Sequence, residues 1–150
     1  MWTAAHGRIL TLDNLMLQGL PLVNRCCMCC CCTKSVDHLL LHCLVAYSLW
    51  VQMLQVFGIP WVMLGFVESL VFCWSNWLGK FSSDIWNMVP CCLMWVVWME
   101  RNRHSFEAIE KLLDQLQALN QSTLFEWARC WGSSNCSSTL EFLSSLRSAP

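Results

Sequence analysis

Six of the seven positions from Cys26 to Cys32 are cysteine, and this run limits the chain more than any other feature. Neighbouring cysteines are badly placed to bridge one another, because a disulfide needs a particular separation and dihedral. The chain carries twelve cysteines in all, a density that in a short secreted protein points to a disulfide scaffold. Its opening, Met1-Trp2-Thr3-Ala4-Ala5-His6-Gly7-Arg8, lacks the apolar core of a signal peptide. The expectation is therefore an intracellular, reducing setting, cytoplasm or nucleus, in which the thiols are free to bind metal.

Spacing gives that expectation a shape. Cys26-Cys27-Met28-Cys29 places two sulfurs at the ends of a C-x2-C turn, and His38 and Cys43 follow at H-x4-C. The whole reads C-x2-C-x8-H-x4-C, a spacing that suits one tetrahedral ion. Soft sulfur with one imidazole favours Zn2+ over magnesium or calcium. Four protein ligands leave no open position for an activated water, so the expected ion is structural. On spacing alone the ligand set stays open. Cys27 with Cys30, or Cys29 with Cys32, also satisfies C-x2-C, and His42, one helical turn from His38, can stand in for Cys43.

The rest of the chain reads as helix. Thr11 to Gly19 forms a short one, capped by Thr11 and stopped by Gly19. From Val36 to Phe57 the residues Leu39, Leu40, Cys43, Tyr47, Trp50, Val51, Leu54 and Phe57 recur at helical spacing, which predicts one continuous helix ended by Gly58 and Pro60. A further helix is expected from about Gly65 to Leu78. Another starts near Ser83-Asp84 and runs to Arg103, with Pro90 kinking or interrupting it. Phe106 to Trp131 has neither Gly nor Pro and repeats Ile109, Leu112, Leu113, Leu116, Leu119, Leu124 and Trp127, so it predicts a long helix. Gly132 to Ser138 is a loop, and Thr139 to Leu146 a terminal helical turn. The expected fold class is all-α.

Charge excludes more than it supports. Nine Lys and Arg stand against ten Asp and Glu, so no strong field gathers phosphates. Arg8, Arg25 and Lys34 near the proposed site serve equally as ordinary surface charges, and no nucleic-acid-binding residue is assigned. Glu100 and Arg103 are spaced to pair along a helix. Tryptophans can stack on bases, but Trp50, Trp61, Trp74, Trp77, Trp86, Trp95 and Trp98 lie in apolar stretches and read as core. No catalytic residue emerges. Asp13, Asp37, Asp84 and Asp114 are scattered, Tyr47 is the one tyrosine, and no phosphate loop or nucleophile motif occurs. No small-molecule substrate is implied.

Three stretches together resemble a known family: Gly7-Arg8-Ile9-Leu10-Thr11-Leu12-Asp13-Asn14-Leu15, then Leu22-Val23-Asn24-Arg25-Cys26-Cys27-Met28-Cys29, then Ser35-Val36-Asp37-His38-Leu39-Leu40-Leu41-His42-Cys43. In this order they resemble the reverse-transcriptase zinc-binding domain of plant LINE-type (non-LTR) retrotransposons. An aromatic Leu49-Trp50 completes the pattern. Phe57 to Val62 and Trp95 to Glu107 resemble the tail that follows the domain in such elements. The resemblance implies Cys26, Cys29, His38 and Cys43 as ligands, and the remainder of the polyprotein as partner in an intact parent. It also implies a weak role with RNA or DNA, and that Met1 begins inside the domain. Where the family carries Glu in its linker, this chain has Cys30, Cys31, Cys32 and Lys34, extra thiols that compete for metal.

The expected organisation is a zinc-centred module over residues 1–57, N-terminally truncated, followed by a hydrophobic helical extension over 58–150. Two alternatives stand beside it. No Asp, Glu, Lys or Arg occurs between Leu39 and Val67, a window long enough to span a bilayer, although Gln52, Gln55, Gly58 and Pro60 interrupt it. The other alternative is a transposon relic with no present function.

Overall fold

Much of the chain in which apolar residues recur every three or four positions is helical. The structure is a computed structural model that describes residues 25–30, 35–60, 62–76, 83–107 and 109–147. A π-helical turn, His38–His42, leads into α1 (Leu44–Val56), α2 (Val67–Asn76), α3 (Ser83–Phe106), α4 (Leu113–Cys130) and α5 (Thr139–Arg147). No strand occurs among the described residues, and the fold is all-α. The helix expected over Thr11–Gly19 lies outside the described residues.

Buried side chains from all five helices and from the cysteine turn join one cluster, running from Cys26 and Leu39 through Trp50, Trp86 and Leu93 to Phe142 and Leu146. Three aromatic residues occupy its middle. Trp74 of α2 stacks on Trp86 of α3 with centroids 4.1 Å apart and planes 10° apart, and Phe57 meets Trp86 edge-on at 5.0 Å. Trp95, expected in the core, is instead 50% exposed. It sits between buried Met94 and Val96, and on a helix a stretch that is apolar all round still has one side that faces outward.

Pro90 neither ends nor interrupts α3, which runs unbroken from Ser83 to Phe106. A proline inside a helix removes the bond that its nitrogen would give to the carbonyl four residues back. Here that carbonyl belongs to Trp86, and the buried indole N–H of Trp74 donates to it at 3.0 Å. The orphaned acceptor is satisfied from a neighbouring helix, so the main cost of the proline is offset.

The long helix expected over Phe106–Trp131 starts later, at Leu113. Glu100, 3% exposed, accepts the Lys111 backbone N–H at 2.8 Å through one oxygen and Arg103 at 2.9 Å through the other, the expected pair along α3. This ties the turn after α3 back onto its own last turns. Gln115 Oε1 accepts the Leu112 N–H at 3.2 Å and marks the new start. Ile109 and Leu112, 54% and 72% exposed, therefore match the helical period without belonging to the core. Earlier on α3, burial raises the Cys92 thiol to about 12, with repulsion from Cys91 adding to it. Cys92 faces buried Asn120 of α4 as a neutral S–H donor.

α5 begins with a reciprocal cap. Ser138 Oγ accepts the Glu141 N–H at 3.3 Å, while Glu141 Oε2 accepts the Ser137 N–H and hydroxyl, each at 2.8 Å. These donors, the Ser137 N–H first, hold the Glu141 carboxyl below its ordinary range. A depressed carboxyl stabilises the fold above its unfolded pKa of about 4.3, and that contribution disappears as pH falls through the folded value. The protection of α5 amides, taken relative to the intrinsic exchange rate at each pH, should accordingly fall on acidification below pH about 4, and Glu141→Gln should flatten that response. An unchanged pH profile in the variant would contradict the cap.

The uncharged stretch from Leu39 to Val67 does not form one rod, because it breaks at Cys43 and again at Gly58, where φ is +65°. No helix among the described residues is long and apolar enough to cross a membrane.

Candidate metal centre

The first pair of sulfurs comes from a tight turn. Residues 27–29 form the bend, and the Cys30 N–H closes it on the Cys26 carbonyl at 2.9 Å. Closure puts Cys30 at φ +55°, a left-handed conformation that disfavours any residue with a Cβ. Its thiol points to the Cys27 carbonyl at 3.6 Å. Cys30→Gly should remove the backbone strain, stabilise the protein by about 1 kcal/mol in urea denaturation, and leave metal binding intact. A destabilised variant, or one that loses metal, would show that Cys30 does more than turn the chain.

The second pair needs a break in the helix. Residues five apart on a regular α-helix point about 140° apart, too divergent to share one ion. Ser35 starts the segment as a cap, its Oγ accepting the His38 N–H at 3.0 Å. The turn His38–His42 is π-helical, with the Cys43 N–H bonded to the His38 carbonyl. Cys43 then takes extended backbone angles, φ −56° and ψ 135°, before α1 begins. A π turn closes on the fifth residue rather than the fourth, which brings His38 and Cys43 to the same side. This is why the continuous helix expected over Val36–Phe57 is not observed. The buried face of α1 follows Ala46, Leu49, Trp50, Met53 and Leu54, while Tyr47, expected on it, is 46% exposed. Trp50 also supports the break, its buried indole N–H donating to the Leu40 carbonyl at 2.9 Å.

The structure brings together Cys26, Cys29, His38 and Cys43, with their ligand atoms all within 4.8 Å of one another. Cys26 and Cys43 are fully buried, with sulfurs 3.9 Å apart, and Cys29 Sγ lies 3.3 Å from His38 Nε2. A tetrahedron with Zn–S of about 2.3 Å and Zn–N of about 2.0 Å has S···S edges near ~3.8 Å and S···N edges near ~3.5 Å. The donor set and these separations fit zinc. On one side Cys29 and His38 open to a cleft of about 400 Å³ shared with Met28, His42, Leu44, Val45 and Tyr47.

The two buried thiols shift in opposite directions. The Cys26 thiol is pushed down to about 4, chiefly by the hydrogen bond it shares with Cys43. Burial opposes this, while the backbone N–H groups of Cys29 and Met28 also point at the Cys26 sulfur. Cys43 is pushed up by the same contact and by burial. The opposite shifts of the two thiols follow from their mutual contact, and a cation bound between them would favour the thiolate form of both.

The alternatives open on spacing are directed elsewhere. Cys27 receives the Ser105 hydroxyl of α3 at 3.5 Å, and His42 Nε2 lies 3.0 Å from the Gly65 carbonyl. Among the described residues no two cysteines are joined in a disulfide. Cys31, Cys32, Lys34 and Arg8 lie outside the described residues, and Arg25 is exposed. The roles of Ser35 and Trp50 escaped the sequence reading. An S-x-x-H capping spacing was the available signal for the first, and nothing in the sequence marked the second as a donor to a broken turn.

No curated protein and no solved structure matches the chain. A family model does. Over residues 1–50, which contain both ligand pairs and end inside α1, the chain is similar to the zf-RVT family, zinc-binding in reverse transcriptase.

Proposed function

We propose that the chain is a non-catalytic zinc-binding piece of a reverse-transcriptase polyprotein from a plant LINE-type retrotransposon, in which one Zn2+ fastens the cysteine turn to the start of α1. The observation that carries this is the convergence of Cys26, Cys29, His38 and Cys43 within 4.8 Å, inside the stretch matched by the zinc-binding family. The order of the flanking motifs, from Thr11-Leu12-Asp13 to the tail around Trp98, supports the retrotransposon origin. When bound, zinc supplies a fixed four-way cross-link and no reactive water.

The surrounding residues keep that cross-link in shape. Cys26 and Cys43 exclude water from the buried side, Ser35 and Trp50 hold the broken turn, and Met28 and Cys29 direct their N–H groups at the Cys26 sulfur. A non-catalytic role accords with the acidic residues. Asp37 is engaged with the Val67 N–H, and Asp84 and Asp114 start different helices. The partners proposed are the remainder of the parent polyprotein and, weakly, RNA or DNA, in an intracellular setting.

Protein purified under reducing conditions should hold one zinc per chain, measured by elemental analysis against amino-acid quantitation. A zinc-free chain that also fails to take up added zinc would overturn the reading. With about three phosphate contacts, the slope of log affinity for RNA or DNA against log salt should be only about −2 to −3. A slope near −6 would indicate a far larger nucleic-acid interface.

A further inference from the structure

Two residues of the metal loop that are not ligands reach across to α2. Asp37, next to His38, accepts the Val67 N–H through Oδ1 at 2.8 Å, thirty residues along the chain. Val67 is the first residue of α2, where an unpaired N–H and the positive end of the helix dipole both favour a carboxylate. His42, next to Cys43, places Nε2 3.0 Å from the Gly65 carbonyl, so the tautomer protonated there donates to the segment entering α2. The two bonds grip both sides of the α2 start.

α2 depends on such help. At ten residues it is shorter than a helix that stands alone in water. It buries Val67, Leu70 and Trp74 while Phe72 and Cys73 face outward. Trp74 stacks on Trp86 and donates to the carbonyl that Pro90 leaves open. The loop holding Asp37 and His42 is itself conditional. A π turn is an uncommon conformation, here spanning the two ligands His38 and Cys43, so a metal bound to both fixes where Asp37 and His42 point.

We infer that Asp37 and His42 are positioning residues that transmit metal occupancy to α2, so that α2 docks its Trp74 against Trp86 only when the metal loop is closed. This rests on the zinc reading above and extends it beyond the residues matched by the family. Removal of metal releases the α2 start, unstacks Trp74, and withdraws its indole donor from the Trp86 carbonyl. The zinc site thereby governs a segment of the helical extension that contributes no ligand to it.

The test uses the full chain with zinc bound, and the same chain after chelation in the presence of a thiol reductant. Amide exchange of residues 67–76 and the near-ultraviolet circular dichroism of the Trp74–Trp86 stack are recorded, with Trp74→Phe assigning the optical signal. Chelation should raise α2 exchange at least tenfold and abolish the stack signal. Asp37→Ala and His42→Ala leave all four ligands in place. Each should keep one zinc per chain yet raise α2 exchange about tenfold, while Asp37→Asn, which retains an acceptor oxygen, should largely restore protection. If both alanine variants bind zinc and protect α2 as the parent does, the inference is overturned. The same holds if chelation removes the metal and leaves α2 unchanged. A chain that takes up no zinc at all overturns the metal reading, and this inference with it.

Discussion

Cys26→Ser will lose its zinc and, with it, the fold around the cysteine turn. Cys26 is a fully buried member of the set, and its hydroxyl replacement is a poor zinc ligand at neutral pH. Zinc binding in small modules contributes on the order of 10 kcal/mol to the folded form. The net stability of a whole domain is only about 5–15 kcal/mol. Loss of the ion therefore outweighs what the neighbouring Leu39, Leu40 and Leu41 can supply by burial. Cys29→Ser, His38→Ala and Cys43→Ser should behave alike, losing metal and helical circular dichroism together. Cys30, Cys31, Cys32 and His42 should each be replaceable without loss of zinc, because Cys30 and His42 are engaged with the Cys27 and Gly65 carbonyls and a single ion needs only four ligands. Equal zinc loss from Cys31→Ser and Cys26→Ser would refute this ligand set.

Trp86→Ala should be the most damaging change away from the metal, costing about 3–5 kcal/mol. Its ring is fully buried, stacked on Trp74 and met edge-on by Phe57. The cavity left behind would sit where α1, α2 and α3 converge. Trp95→Ala makes the internal control, since half of that side chain already faces solvent and its removal should cost far less, of the order of 0.5–1 kcal/mol. Urea denaturation of both variants, zinc-loaded, measures the difference. Equal destabilisation would show that the Trp74–Trp86 pair is not the centre of the core.

The two tryptophans also show how far sequence carries. Both lie in apolar runs on the same helix, and no local pattern says which face of α3 the rest of the chain will cover. Apolar spacing marks α1, though within a longer expected helix, Ser83-Asp84 marks the start of α3, and α2 and α5 lie close to the expected segments Gly65–Leu78 and Thr139–Leu146. The exceptions arise where a distant partner decides. Pro90 is tolerated because Trp74, sixteen positions earlier, satisfies the carbonyl it orphans. The start of α4 is delayed because Glu100 binds the Lys111 N–H. At the metal site the C-x2-C and H-x4-C spacings pick out the four residues that converge, but the same spacings also permit Cys27, Cys30 and His42. Only the π turn and the extended Cys43 backbone separate the two sets. Read with a regular 3.6-residue period, His38 and Cys43 diverge, so the spacing that signals a metal is also the spacing that forbids a continuous helix.

The central claim, one zinc held by three thiolates and one imidazole, is tested most directly by X-ray absorption at the zinc edge on the purified, reduced chain. The expected first shell is three sulfurs at about 2.3 Å and one nitrogen at about 2.0–2.1 Å. A shell of four sulfurs would mean that a spare cysteine displaces His38, two nitrogens would bring His42 into the site, and a bound oxygen would contradict a closed structural centre.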